Sequence, residues 1–190
     1  YTLLQTESLF KEGKHTKGNT KAEAVMLLNH QAAFDYALNK PDYFRELTVQ
    51  KILEIHRFLT KGLGIPNKIR AGRVGITGTN YKPLAKANQI QKALQDLCDL
   101  INSKRNVLEK AFIALLLIAY IQPFEDGNKR TARIICNALL LPNKYCPISF
   151  RTVEPEDYRY ATLLFYEQNS IPSFKKIFME QLEFSTANYF

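Results

Sequence analysis

Residues 121–133, Ile-Gln-Pro-Phe-Glu-Asp-Gly-Asn-Lys-Arg-Thr-Ala-Arg, place a carboxylate, two turn-formers and three cations between apolar runs. The run from Ala111 to Ile121 is too apolar for a surface helix, and Ala132, Ile134, Ile135, Ala138 and Leu139 recur at helical spacing after it. The loop therefore joins two buried helices. A helix opening near Gly127-Asn128 leaves its first N–H groups without internal partners, and its dipole favours an anion there. Lys129, Arg130 and Arg133 fall in the first turn or so, where cations oppose that dipole unless something negative lies beside them. Arg130 and Arg133 are three apart and share a face, so two guanidinium forks can grip neighbouring phosphates of one ligand. Asp126 is a candidate ligand for Mg²⁺, which prefers one or two carboxylates together with phosphate oxygens and water. Phe124 reads as an anchor into the core and Pro123 as a stiffener of the turn. On these residues alone, a surface loop with locally paired charges stays open as the alternative.

The stretch resembles the signature of the Fic (Fido) family, His-x-Phe-x-Asp/Glu-Gly-Asn-Gly/Lys-Arg-x-x-Arg. Phe124, Asp126, Gly127, Asn128, Arg130 and Arg133 match it in register. The resemblance implies a mainly α fold, a helical bundle with a short β-hairpin flap, formed by residues 1–190 as one domain. It also implies a transferase that moves AMP from ATP to a Tyr, Thr or Ser hydroxyl of a target protein. By the same carry-over Asp126 binds Mg²⁺, while Gly127, Asn128, Lys129, Arg130 and Arg133 hold the phosphates of ATP.

Two positions depart from the family pattern. Where the family has the His that takes the proton from the target hydroxyl, this chain has Gln122. An amide neither accepts a proton usefully nor changes charge near neutrality. Loss of a positioned base costs about 10²–10⁴-fold, so weak transfer is expected. Three accounts of Gln122 stand open: an inactivating replacement, a decayed position, or a variant whose proton acceptor comes from elsewhere. His30 and His56 fall on apolar-patterned helices and read as packing residues. Lys129 stands where AMP-transferring members commonly carry Gly and the phosphorylating Doc toxins carry Lys, yet Arg133, usually missing from Doc-like loops, is present. A Doc-like protein kinase and a non-catalytic nucleotide- or protein-binding module are therefore the alternatives.

Two further segments agree with the resemblance. Ser8-Leu-Phe-Lys-Glu12-Gly13 fits the family's inhibitory pattern, which implies that Glu12 pairs with Arg133 and displaces the ATP γ-phosphate; a plain helix end at Gly13 is the alternative. Between residues 69 and 84 the chain becomes β-branched and glycine-rich and closes on Pro83, which predicts a hairpin. In the family such a flap holds the target as an added strand, here through Val74, Gly75, Ile76, Thr77, Gly78 and Thr79. The nearby Lys68, Arg70, Arg73 and Lys82 would favour an acidic target.

Helical patterns run over about residues 20–39, 47–63, 87–103, 106–120, 129–140, 155–168 and 172–182. Tyr158, Tyr160, Phe165 and Tyr166 read as core packing of a late helix. The net charge of +8 invites nucleic acid, but Lys and Arg are spread evenly and no nucleic-acid motif accompanies them. Cys98, Cys136 and Cys146 are too far apart for a zinc motif and predict free buried thiols in a reducing, cytoplasmic setting. No apolar run approaches the roughly 20 residues that span a bilayer. Partners are thus a nucleotide and a protein, with no membrane and no nucleic acid expected; oligomeric state and whatever precedes Tyr1 stay open.

Overall fold

The computed structural model describes residues 21–189. Ser8, Glu12 and Gly13 lie outside the described residues. Seven α-helices follow in order: α1 (Lys21–Asn39), α2 (Val49–Thr60), α3 (Ala87–Ser103), α4 (Val107–Ile121), α5 (Asn128–Leu140), α6 (Pro155–Gln168) and α7 (Pro172–Tyr189). The expected helices are all present. α7 runs beyond its expected end because Ser185, which carries no apolar signal, is nonetheless buried.

α4 and α5 form the centre, and their contact is the most extensive between any two elements. α4 is apolar around its whole circumference, as a helix enclosed by others must be. It opens on Asn106, whose side chain accepts from the N–H groups of Leu108 and Glu109. On α5 every side chain from Asn128 to Leu140 is buried except Lys129, Arg130 and Arg133. α2 and α3 are amphipathic and lay Ile52, Ile55 and Leu59, and Ile90, Leu94 and Ile101, into the same core.

Two asparagines act as peptide mimics that fasten connecting chain to helices. Asn102 on α3 accepts from Leu47 N (2.9 Å) and donates to Leu47 O (2.8 Å). Asn137 on α5 does the same for Ile148, at 2.8 and 3.0 Å. The three cysteines are free and buried, and burial pushes the Cys98 thiol up to about 12.

Two expectations fail. Residues 69–84 form no hairpin, and no strand occurs among the described residues. The segment's backbone bonds are Arg70 N to Pro123 O (3.0 Å) and Gly72 N to Ala85 O (2.9 Å), with no ladder between its arms. An isolated two-stranded ribbon is marginal in water, and here side chains hold the segment instead. Glu167 of α6 accepts from Thr79 Oγ1 and Asn80 N, and Tyr81 donates to Tyr120 O at 3.0 Å. Tyr160 does not pack: it is 63% exposed, whereas Phe165 and Tyr166 are buried and Tyr158 partly so.

Replacing Asn137 by Ala removes both bonds to Ile148 and leaves a buried amide and carbonyl unpaired. Denaturant unfolding should show a loss of about 2 kcal/mol; a loss under about 0.5 kcal/mol would mean that the 148 segment is held by other contacts.

Candidate functional site

The site is the junction of α4 and α5. Pro123 has no N–H with which to continue α4, so the helix stops at Gln122, a non-glycine residue in the left-handed region at φ 51° and ψ 59°. That conformation costs on the order of 1–2 kcal/mol, and a web of side chains holds it. Ala119 O accepts from Gln122 Nε2 (2.5 Å) and from the Tyr166 hydroxyl (2.9 Å). Gln122 O accepts from Arg70 Nε at 2.6 Å.

The loop beyond is organised from within. Asn128 accepts from Phe124 N (2.9 Å) and donates to Phe124 O (2.9 Å) and to Gln122 Oε1 (3.0 Å). Its side chain is thus committed to loop geometry. Phe124 is fully buried and stacks on His56 with ring centres 3.7 Å apart, which fulfils its expected role as an anchor. Gly127 sits at φ 83°, a conformation that calls for glycine, while a β-carbon there would meet His56 Cδ2 at 3.4 Å, an ordinary contact.

His56 supports this loop from behind. Its Nε2 donates to Asp126 O at 2.9 Å, and Nδ1 faces the Asn67 side-chain amide at 3.1 Å. Burial, the largest cause, lowers its pKa and keeps the ring neutral. Nδ1 stands opposite Asn67 Oδ1, so with Nε2 carrying the proton a neutral ring is satisfied on this side only when the Asn67 amide is turned to present its NH₂.

A cavity of about 450 Å³ opens between this loop and the 69–84 segment. Gly75, Ile76 and Thr77 line one side, and Gln122, Glu125, Asp126, Gly127, Asn128, Lys129 and Arg130 the other. The structure therefore brings together three of the six expected flap residues with most of the loop. Val74, Gly78 and Thr79 do not line it; Gly78 instead lies where a β-carbon would come within 2.6 Å of the Arg159 guanidinium. Arg133 is also elsewhere, lining a second cavity with His30 and Ile148 and packed over the rings of Tyr158 (4.9 Å) and Phe150 (5.6 Å).

The cavity is lined by two carboxylates, Glu125 and Asp126, and two cations, Lys129 and Arg130. Asp126 Oδ2 pairs with Arg130 Nη2 at 3.0 Å, and its Oδ1 accepts from Gly127 N at 2.5 Å. Arg130 Nη1 and Arg133 Nε are buried donors with no acceptor among the described residues. Burial first, then Arg133 and Arg159, lower the pKa of Lys129; burial, Arg133 and Arg130 do the same for His30. Asp126 is 65% exposed at the side chain, Glu125 lines the same cavity, and the described residues hold no cluster of three or more His, Cys, Asp or Glu that could hold a metal alone. That suits Mg²⁺ shared with phosphate oxygens.

The Gln122 side chain is itself part of the loop's bonding. Its amide donates to Ala119 O and accepts from Asn128, so both of its ends are in use. Neither His30 nor His56 lines the cavity that Gln122 faces. The residues that the sequence reading missed are the braces: Tyr81, Tyr166, Asn67 and Arg70. Arg70 was expected among surface cations for an acidic target, but it is 1% exposed and turned inward. Only its place in a glycine-rich segment near a helix end could have hinted at this.

Because the folded pKa values of His30 and His56 lie below the ordinary 6.5, the unfolded chain binds more protons as pH drops beneath that value. Stability from the neutral rings is complete above 6.5 and falls as pH descends below it toward their folded values. Unfolding free energy should decline from about pH 7 to 5.5, with a shallower slope in His56→Gln. A stability that rises over this window would overturn the assignment.

The comparisons with known proteins agree with this geometry. The model of the Fic/DOC family matches residues 46–140. "Protein adenylyltransferase Fic" of Nematostella vectensis is 32% identical over 165 residues, which take in 83% of this chain and 38% of that protein. Fic-1 from C. elegans superposes with a TM-score of 0.86 at 22% identity, covering 100% of this chain and 57% of that one. IbpAFic2 in complex with adenylylated Cdc42 gives a TM-score of 0.60 at 19% identity over 93% of this chain and 59% of its own. The chain spans 38% of the length of the first curated relatives that it matches. No helix among the described residues is long and apolar enough to cross a membrane. With half of its length matched by the family model, the chain belongs to the Fic/DOC family.

Proposed function

We propose that the chain binds MgATP at the Gln122–Arg133 loop and has the framework to move AMP to a Tyr, Thr or Ser hydroxyl of a target protein. The observation that carries this reading is the pair of buried guanidinium donors, Arg130 Nη1 and Arg133 Nε, left without acceptors at the opening of α5. Buried donors are seldom orphaned; phosphate oxygens in the loop cavity would answer Arg130, and a ligand reaching the neighbouring cavity would answer Arg133. Relatives named as protein adenylyltransferases and a neighbour in complex with adenylylated Cdc42 support AMP as the group and protein as the acceptor.

The chemistry is an in-line displacement. The target hydroxyl oxygen bonds to the α-phosphorus, the bond to pyrophosphate breaks, and the hydroxyl proton has to leave. Mg²⁺, when bound, neutralises phosphate charge. Asp126 would hold it, giving up part of its ion pair with Arg130. Gly127 N and the other N–H groups that open α5, together with Arg130 and Lys129, would bear on the phosphates. The Gly75–Thr77 backbone, which forms no ladder of its own, would hold the target. Gln122 cannot take the proton, so transfer by the chain as written is weak. Installing Gln122→His should raise incorporation of label from [α-³²P]ATP into protein by about 10²-fold or more. Label entering from [γ-³²P]ATP instead would support the Doc-like reading, for which Lys129 in the cavity is the motivating residue.

Glu12 completes the reading as a tethered competitor for Arg133, with Ser8 and Gly13 completing the inhibitory sequence pattern. Arg133 has no carboxylate within ion-pair distance among the described residues and keeps a buried donor free, which leaves room for that role. Calorimetric titration of MgATP should show binding that appears or tightens in Glu12→Gly. Equal affinity in both forms would remove the inhibitory role. Absence of binding in both would leave a binding module that uses the flap, a reading favoured by the saturated Gln122 amide.

A further inference from the structure

We propose that Arg70 is a positioning residue that sets the spacing between the flap and the phosphate loop. The inference rests on the transfer reading of the loop, but its structural half can be tested without nucleotide. Arg70 is the largest fully buried side chain among the described residues, at 1% exposure. Its Nε donates to Gln122 O at 2.6 Å, its Nη1 to Gly72 O at 2.5 Å, and its backbone N–H to Pro123 O at 3.0 Å. One residue thereby grips two successive carbonyls of the loop and one of the flap.

Three features argue for more than packing. The guanidinium is buried without a carboxylate within ion-pair distance among the described residues, and its Nη2 has no acceptor. A buried unpaired cation is costly and would not serve as mere filler. Its charge lies at the C-terminal end of α4, where the carbonyls carry partial negative charge, so the helix itself supplies the compensation. Most telling is what it holds. Gln122 is in the left-handed region, and Gly72, at φ 108°, is where the flap leaves the loop. Gly75–Thr77 and Gln122–Arg130 are opposite walls of the same cavity. The planar fork, with donors fixed relative to one another, sets the distance between those walls. Lysine carries its three donors on one nitrogen at the end of a flexible stem, so it can bond carbonyls without fixing their separation as the fork does.

The test uses Arg70→Lys and the milder Arg70→Gln in the whole chain, each also combined with Gln122→His for activity. Hydrogen exchange read by mass spectrometry should rise at least tenfold for peptides covering both 72–81 and 122–127, while those from α1, α3 and α7 stay within twofold. In the Gln122→His background, α-phosphate transfer should fall by 10- to 100-fold with the MgATP dissociation constant changed less than threefold. Exchange that is unchanged at the two walls, rises in only one of them, or rises equally in all helices overturns the proposal. A transfer rate that survives loosened walls does so too. If no form binds MgATP, the transfer reading fails, yet coupled exchange at the two walls still upholds the latch.

Discussion

The site depends on one requirement: a helix that is apolar all round has to end inside the protein. The last carbonyls of α4 have no intrahelical donors, and each would cost about 1–3 kcal/mol if buried unpaired. They are met by side chains from distant parts of the chain. Tyr166 and Gln122 serve Ala119 O, Tyr81 serves Tyr120 O, and Arg70 serves Gln122 O just beyond the helix. These donors belong to α6, the loop itself and the 69–84 segment. Capping α4 thus assembles the walls of the cavity, and the flap needs no strand pairing to stay in place.

The same junction sorts charge. At the end of α4 the backbone presents carbonyls, and a buried arginine answers them. At the start of α5 it presents N–H groups, yet three cations stand there as the only side chains of the helix that are not buried. Among the described residues only Arg130 has a carboxylate in reach, and that carboxylate is mostly exposed. For stability alone this is the wrong arrangement. It makes physical sense as a site whose counter-charge arrives with a ligand, and the depressed pKa of Lys129, burial first and then Arg133 and Arg159, reports the same imbalance.

The legible part of this molecule was whatever periodicity or a dense local motif encodes. Helix positions came from apolar spacing, and the loop from turn-formers and charge packed into one stretch. The 69–84 segment was misread because β-branched and glycine residues state a local preference, whereas a strand needs a partner that sequence does not display. Arg70 was misread because sequence gives charge without burial. Tyr81 and Tyr166 act on carbonyls far away in the chain, and nothing in their neighbourhood announces it. Tyr160 erred the other way, an aromatic in a packing pattern that faces solvent.

Holding this loop does not itself require a side chain that titrates. The position calls for a side chain in the left-handed region that donates to Ala119 O and accepts from Asn128. A neutral histidine has one donor and one acceptor nitrogen, and glutamine has both functions too. The exchange therefore preserves the bridge between the end of α4 and the start of α5. A histidine would add the capacity to take up a proton, which the bridge itself never uses. A histidine here would have to release its bond from Asn128 as it became protonated, tying proton transfer to movement of the residue that shapes the loop. Glutamine cannot make that exchange, so the bridge it forms does not depend on protonation.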